Sequence, residues 1–92
     1  YVKGRAQIVF GTHTHVPTAD ERIIEGQTVY ITDVGMCGVL NSVIGVDFKR
    51  ALPYYLTGIK RKFHPAEKGE VVFNALLVVI DETSLKPQRV ER

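Results

Sequence analysis

The stretch Ala6-Gln7-Ile8-Val9-Phe10-Gly11-Thr12-His13-Thr14-His15 decides how this chain is read. An apolar run ends at a glycine, and two of the three histidines in the sequence follow, separated by one residue. Arg5 to Phe10 predicts a short buried strand that Gly11 ends. If the backbone stays extended, residues i and i+2 point to the same side, so both imidazoles face one point in space. Neutral imidazole ligates zinc, iron, manganese and copper, and a strand running into a glycine-punctuated loop holds such ligands well. A His-x-His pair is half of a metal site, because a complete one needs further converging ligands. The spacing alone leaves two readings open: a metal pair, or loop histidines that are solvated or hydrogen-bonded.

Further motifs favour the metal pair. Gly11-Thr12-His13-Thr14-His15-Val16-Pro17-Thr18-Ala19-Asp20 resembles the last metal-binding motif of the calcineurin-like metallophosphoesterases. It is most similar to the YmdB-like bacterial branch, whose members are 2′,3′-cyclic nucleotide phosphodiesterases. Tyr30 to Gly38 and Asn41 to Gly45 resemble that branch too, in the same order and at similar spacing. Cys37 stands where the family pattern has Thr, and Asn41 where it has Asp.

The resemblance implies an α/β fold: the C-terminal part of a four-layer α/β/β/α sandwich, mostly strands with one main helix. It also implies two divalent metals (iron, manganese or zinc), His13 binding one and His15 the other. Such a centre activates a water or hydroxide and stabilises charge on the phosphoryl oxygens. The implied substrate is a small phosphodiester such as a cyclic nucleotide. The family's earlier motifs, including the one bearing its general-acid histidine, are absent, so the chain is expected to be the C-terminal third of the enzyme and inactive alone.

Ninety-two residues make at most one domain, here a single partial one, and a chain of this size buries only a modest share of its surface. The net charge of +2 is too small to imply nucleic acid or an anionic membrane as partner. No apolar run is long enough to span a bilayer, and one cysteine makes no internal disulfide, which fits a reducing cytoplasm.

Asp33 follows a strand and precedes Gly35. It reads either as a carboxylate accepting a histidine N–H, which fixes the ring tautomer, or as a turn-forming residue. Thr12 and Thr14 alternate with the histidines and are expected to point the other way, capping nearby backbone groups. Cys37 reads as small, buried and inert. His64 reads as a surface histidine, and Lys60-Arg61-Lys62 as a solvated strand face whose second reading is attraction of a phosphate-bearing substrate. Asn74, inside an apolar run, is expected to be hydrogen-bonded.

Elsewhere, Arg22 to Glu25 and Thr28 to Thr32 predict strands flanking a turn at Gly26-Gln27. Asp47 predicts a helix N-cap, with Phe48, Ala51, Leu52, Tyr55, Leu56 and Ile59 on one face. Pro53 predicts a kink or restart and Gly58 a stop. Lys60 to His64 and Glu70 to Asp81 predict strands, the latter buried. Thr83 to Pro87 predicts a hairpin loop returning into Gln88 to Val90.

Two other readings compete. Cupins also carry a His-x-His pair followed by a carboxylate, here Asp20 or Glu21, but a helix from Asp47 to Gly58 suits a jelly roll poorly. A non-enzymatic α/β module acting through exposed sheet edges is the third. Apolar strands with a single covering helix predict a homo-oligomer.

Overall fold

The computed structural model describes residues 1–92. In chain order the elements are β1 (Ile8–Phe10), β2 (Arg22–Ile24), β3 (Thr28–Ile31), β4 (Gly38–Val39), α1 (Phe48–Thr57), β5 (Val71–Val72), β6 (Leu77–Ile80) and β7 (Pro87–Glu91). The fold is mixed α/β, mostly strands with a single helix. Two compact units divide it: Tyr1–Gly35 with Asn74–Arg92, and Met36–Phe73.

The first unit is built on a sheet of order β1-β3-β2. Its central strand, β3, is β-branched and aromatic, which suits a pleated surface flanked on both sides. Val29 and Ile31 are buried as core, and Thr28 is buried with its hydroxyl donating to the Ala6 carbonyl and accepting from the Gly4 N–H. β2 joins β3 as an antiparallel hairpin, and the intervening Glu25 and Gly26 both have positive φ. That backbone matches the right-handed twist of hairpin strands, which is why glycine sits there. β1 pairs with β3 in parallel, with Phe10 opposite Ile31. The consequence for function is topological. Chain leaving two parallel neighbours emerges on the same edge, so the segment after Phe10 and the segment after Ile31 start side by side. In open α/β sheets, ligand sites form at such carboxyl ends. A parallel pair also departs from the antiparallel pattern of a jelly roll.

The β6–β7 hairpin completes this unit, with a register shift between Val79 and Ile80. Its turn is tied by Asp81, whose carboxylate accepts from the Ser84 N–H and hydroxyl at 2.6 and 2.7 Å. The Ser84 hydroxyl and N–H, with the Thr83 N–H, hold the Asp81 carboxyl below its ordinary range against the opposing effect of burial.

In the second unit, β4 pairs antiparallel with β5. The Asp47 side chain caps α1 by accepting from the Arg50 N–H at 3.1 Å, as its residue type predicts. Gly58 ends the helix in the left-handed conformation at φ 70°, its N–H reaching the Tyr54 carbonyl. α1 continues through Pro53 as one element instead of restarting there.

Several expectations need correction. Lys60 to His64 forms no strand; it passes beside the helix N-terminus, meeting it through the His64 carbonyl and the Asp47 N–H at 2.9 Å. Without a neighbouring strand its alternation has nothing to pair with. The Glu70 to Asp81 run is not one buried strand. It breaks into β5 and β6, which serve different units, and Val71, Phe73, Leu77 and Val79 are exposed. The helix face is likewise open: Ala51 is its only buried residue. Cys37 is exposed, not buried, in the loop ahead of β4.

Candidate functional site

The histidine loop, Gly11 to Asp20, leaves the carboxyl end of β1 and returns to β2. Its first residue must be glycine, because a Cβ there would fall on the Thr32 carbonyl oxygen. The Val34 N–H donates to the Gly11 carbonyl at 2.9 Å, so the loop starts pinned to the segment that follows β3.

Asp33 is the anchor of that segment. It is 1% exposed, and its carboxylate is satisfied entirely by local donors. One oxygen, Oδ2, accepts from the Thr14 N–H at 2.7 Å and the Thr14 hydroxyl at 2.8 Å. The other, Oδ1, accepts from the Gly35 N–H at 2.8 Å. Burial pushes the Asp33 carboxyl up, but the Gly35 and Thr14 hydrogen bonds, aided by the nearby His15, outweigh it and hold it below its ordinary range. An ionised carboxylate that accepts several short bonds is strongly held. Gly35, at φ 90°, turns the chain where a side chain would meet Pro17 and Asn74.

Thr14 lies between the two histidines, so Asp33 grips the loop at the midpoint of the pair. The Thr14 hydroxyl also accepts from the Val16 N–H at 3.2 Å, a local turn of the kind such residues make. The two threonines therefore differ. Thr14 braces the pair, whereas Thr12 lines an apolar cleft of about 440 Å³ with Ile8, Phe10, Val34, Leu76, Leu77 and Val78.

His13 and His15 are both exposed. The backbone through them bends, and His15 adopts φ 65°, so the alternation rule of an extended chain does not govern their directions. A left-handed non-glycine residue is uncommon and persists where its surroundings enforce it; histidine is among the residues that tolerate it. Nowhere in the chain do three or more His, Cys, Asp or Glu side chains gather to hold a metal. The loop thus offers two imidazoles and no complete ligand set.

A second carboxylate holds the far end of the loop. Asp20 Oδ1 accepts from the Thr18 hydroxyl at 2.6 Å and the Thr32 N–H at 3.0 Å. Its Oδ2 accepts from the Thr32 hydroxyl at 2.6 Å, and Arg22 stands 3.5 Å away. The Thr18 hydroxyl, the Thr32 hydroxyl and the Thr32 N–H hold the Asp20 carboxyl far below its ordinary range, with burial opposing and Arg22 adding to the effect. Sequence reasoning had not given Asp20 this part. Its signal was a threonine two residues before it, an Asx/Thr pattern common in tight loops. Thr18 in turn donates its N–H to the Asp33 carbonyl at 2.9 Å, and its carbonyl accepts from Arg92 at 3.0 Å.

In the second unit, His64 is exposed and lines a shallow polar cleft with Asp47, Arg50, Pro65, Glu67 and Lys68. Asn74 engages its surroundings, with Nδ2 close to Gly35.

The chain is similar to known proteins in sequence and fold. The chain is 40% identical over 92 residues to the 2′,3′-cyclic-nucleotide 2′-phosphodiesterase of Bacillus subtilis, and spans 34% of that protein. It is 39% identical over 82 residues to a putative phosphatase/phosphodiesterase of Mycoplasma genitalium, covering 88% of this chain and 29% of that one. Among solved structures, a hypothetical protein from Thermus thermophilus superposes with a TM-score of 0.87 at 40% identity, over 98% of this chain and 34% of that one. A novel phosphatase from Mycoplasma pneumoniae superposes at 0.85 with 37% identity, over 96% of this chain and 31% of that one. The chain therefore spans about a third of the length of the relatives it matches. The sequence profile of one family matches residues 1–92 from end to end, and the chain belongs to that family, the YmdB-like proteins.

Proposed function

We propose that this chain supplies His13 and His15 to a two-metal centre that hydrolyses 2′,3′-cyclic nucleotides or related small phosphodiesters. The observation that carries the reading is the clamp of Asp33 on Thr14: it fixes the backbone between two exposed imidazoles on the edge where two parallel strands end. Relatives named phosphodiesterase or phosphatase/phosphodiesterase support the reaction class.

The donor set fits divalent metals. Neutral imidazole suits zinc, iron and manganese, and the Asp33 carboxylate holds Thr14, the residue between the two imidazoles. Two imidazoles are a partial set, so the remaining ligands come from elsewhere in the intact protein. When bound, the metals would supply an activated water and charge stabilisation at the phosphoryl oxygens. The chain's own contribution is mechanical and electrostatic. Thr14 keeps the pair from drifting, and Asp33 keeps a fixed negative charge behind it. On this reading the intact protein is a cytoplasmic four-layer α/β/β/α enzyme; within the chain, no helix is long and apolar enough to cross a membrane.

The test is hydrolysis of 2′,3′-cyclic AMP by the intact protein, stripped of metal and then reloaded. His13→Ala and His15→Ala each lose activity by about a hundredfold or more, the scale on which removing a metal ligand or its support acts. Full activity in the double variant after reloading overturns the assignment.

A further inference from the structure

We propose that Asp20 is a positioning residue for the histidine pair, clasping the far end of the loop to the strand edge so that His13 and His15 are presented in one arrangement. This rests on the reading of those histidines as metal ligands.

The geometry is a closed circuit of hydrogen bonds. Asp20 takes the Thr18 hydroxyl at 2.6 Å, and the same Thr18 oxygen accepts the Asp33 N–H at 3.0 Å. Asp20 also takes both donors of Thr32, the residue immediately before Asp33. Thr32 directly follows β3, whose Thr28, Val29 and Ile31 are buried, so the clasp is fastened beside the core of the unit. Asp33 grips the loop at Thr14, and Asp20 grips it six residues later in the chain. Between the two lie His15, with its left-handed backbone, and Pro17. Backbone hydrogen bonds at Gly11 and Thr18 set the path of the loop, and Asp20 adds the side-chain tie that closes its far end.

Arg22 reinforces the clasp twice. It donates to the Asp20 carbonyl at 2.9 Å, and its guanidinium lies over the Tyr30 ring at 4.7 Å. The Tyr30 hydroxyl is itself 3.2 Å from the Thr32 hydroxyl. Two hydroxyls and an amide converge on this one carboxylate, and hydrogen bonds to an ionised acceptor are short and strong.

Without the clasp, the far end of the loop is held by its backbone tie at Thr18 alone, and metal affinity falls. Residues that orient ligands typically change metal affinity or activity by about 10- to 100-fold, and one acting through the backbone belongs at the lower end, about tenfold. Asparagine keeps Oδ1 for Thr18 and the Thr32 N–H and offers an amide to the Thr32 oxygen, so it restores most of the loss.

The experiment titrates Co²⁺ into the metal-free intact protein and follows the visible absorption bands of the bound ion. His13→Ala, His15→Ala, Asp20→Ala, Asp20→Asn and Thr32→Val are compared with the parent. The histidine variants lose the bands, which establishes the ligand reading independently. Asp20→Ala binds about tenfold more weakly with altered bands, and Asp20→Asn recovers most of that. Parent-like affinity and bands in Asp20→Ala, with the histidine variants silent, overturn the positioning role while leaving the ligand reading intact. Equal losses in Asp20→Ala and Asp20→Asn overturn the hydrogen-bonded clasp as its basis. Unchanged bands in the histidine variants overturn the ligand reading itself. If Asp20→Ala does not fold, Thr32→Val decides: weakened Co²⁺ binding supports the clasp, and parent affinity overturns it.

Discussion

Asp33 shows how much of the candidate site depends on single atoms. Its two oxygens collect three hydrogen bonds, two of them from the residue that separates the histidines. Its folded-state pKa lies below that of the unfolded chain, as does that of Asp20. The folded state therefore binds fewer protons than the unfolded one. What these carboxylates contribute is fully present above the unfolded Asp value of about 3.9, and it is lost as pH falls through their lower folded values. The amide protons of Gly35 and Thr32, neither of them flanked by histidine in the chain, report this directly by nuclear magnetic resonance. Their shifts hold steady down to about pH 4 and move only below it; midpoints above that value contradict the clamp. Gly11 is as demanding for a steric reason. Gly11→Ala puts a methyl group onto the Thr32 carbonyl, and forced overpacking of that kind costs about 1–3 kcal/mol. A urea midpoint equal to the parent's refutes it. On the proposed function, Cys37→Ser, at an exposed position, is expected to leave hydrolysis of 2′,3′-cyclic AMP by the intact protein unchanged. The loop that carries the histidine pair, at the end of β1, was legible from the apolar run and Gly11. The inner arrangement was not: alternation presumes an extended chain, whereas His15 has positive φ and follows Thr14, which is bonded to Asp33 19 positions further on.

Elements were legible in the sequence where their determinants are local. The α1 boundaries follow from Asp47 and Gly58, whose side-chain acceptor and left-handed backbone act within one turn. Asp47→Ala lowers stability by about 1 kcal/mol through loss of the cap, with helical circular dichroism falling at lower urea; an unchanged midpoint contradicts the assignment. β3 was legible because β-branched residues sit in its centre, and β2 because Gly26 marks the turn. Among the strands, the misreadings are those whose partners are remote. Val71 to Ile80 carries enough apolar residues for one long strand, but a strand exists only where a neighbour accepts its ladder. β4 takes Val71 and Val72, β7 takes Leu77 to Ile80, and the residues between pair with neither. Lys60 to His64 fails for the same reason. Hydrophobic pattern specifies a face to bury and is silent on what will bury it.

At the scale of the whole molecule, each unit leaves large apolar side chains in water. Phe10 is 60% exposed in the first, and Leu56 and Phe73 are 74% and 79% exposed in the second. β1 has a partner on one side only, and an open strand edge is a template for another chain. Produced alone, the 92-residue chain is predicted to self-associate at low micromolar concentration; a single monomeric species at sedimentation equilibrium contradicts this. The chain matches relatives about three times its length, which places the test of its chemistry in the intact protein. The most direct measurement is the metal content of that protein, read by inductively coupled plasma mass spectrometry after exhaustive dialysis. The account predicts about two divalent ions per chain in the parent and loss of bound metal in His13→Ala and in His15→Ala. Two tightly held ions in the double histidine variant would contradict it.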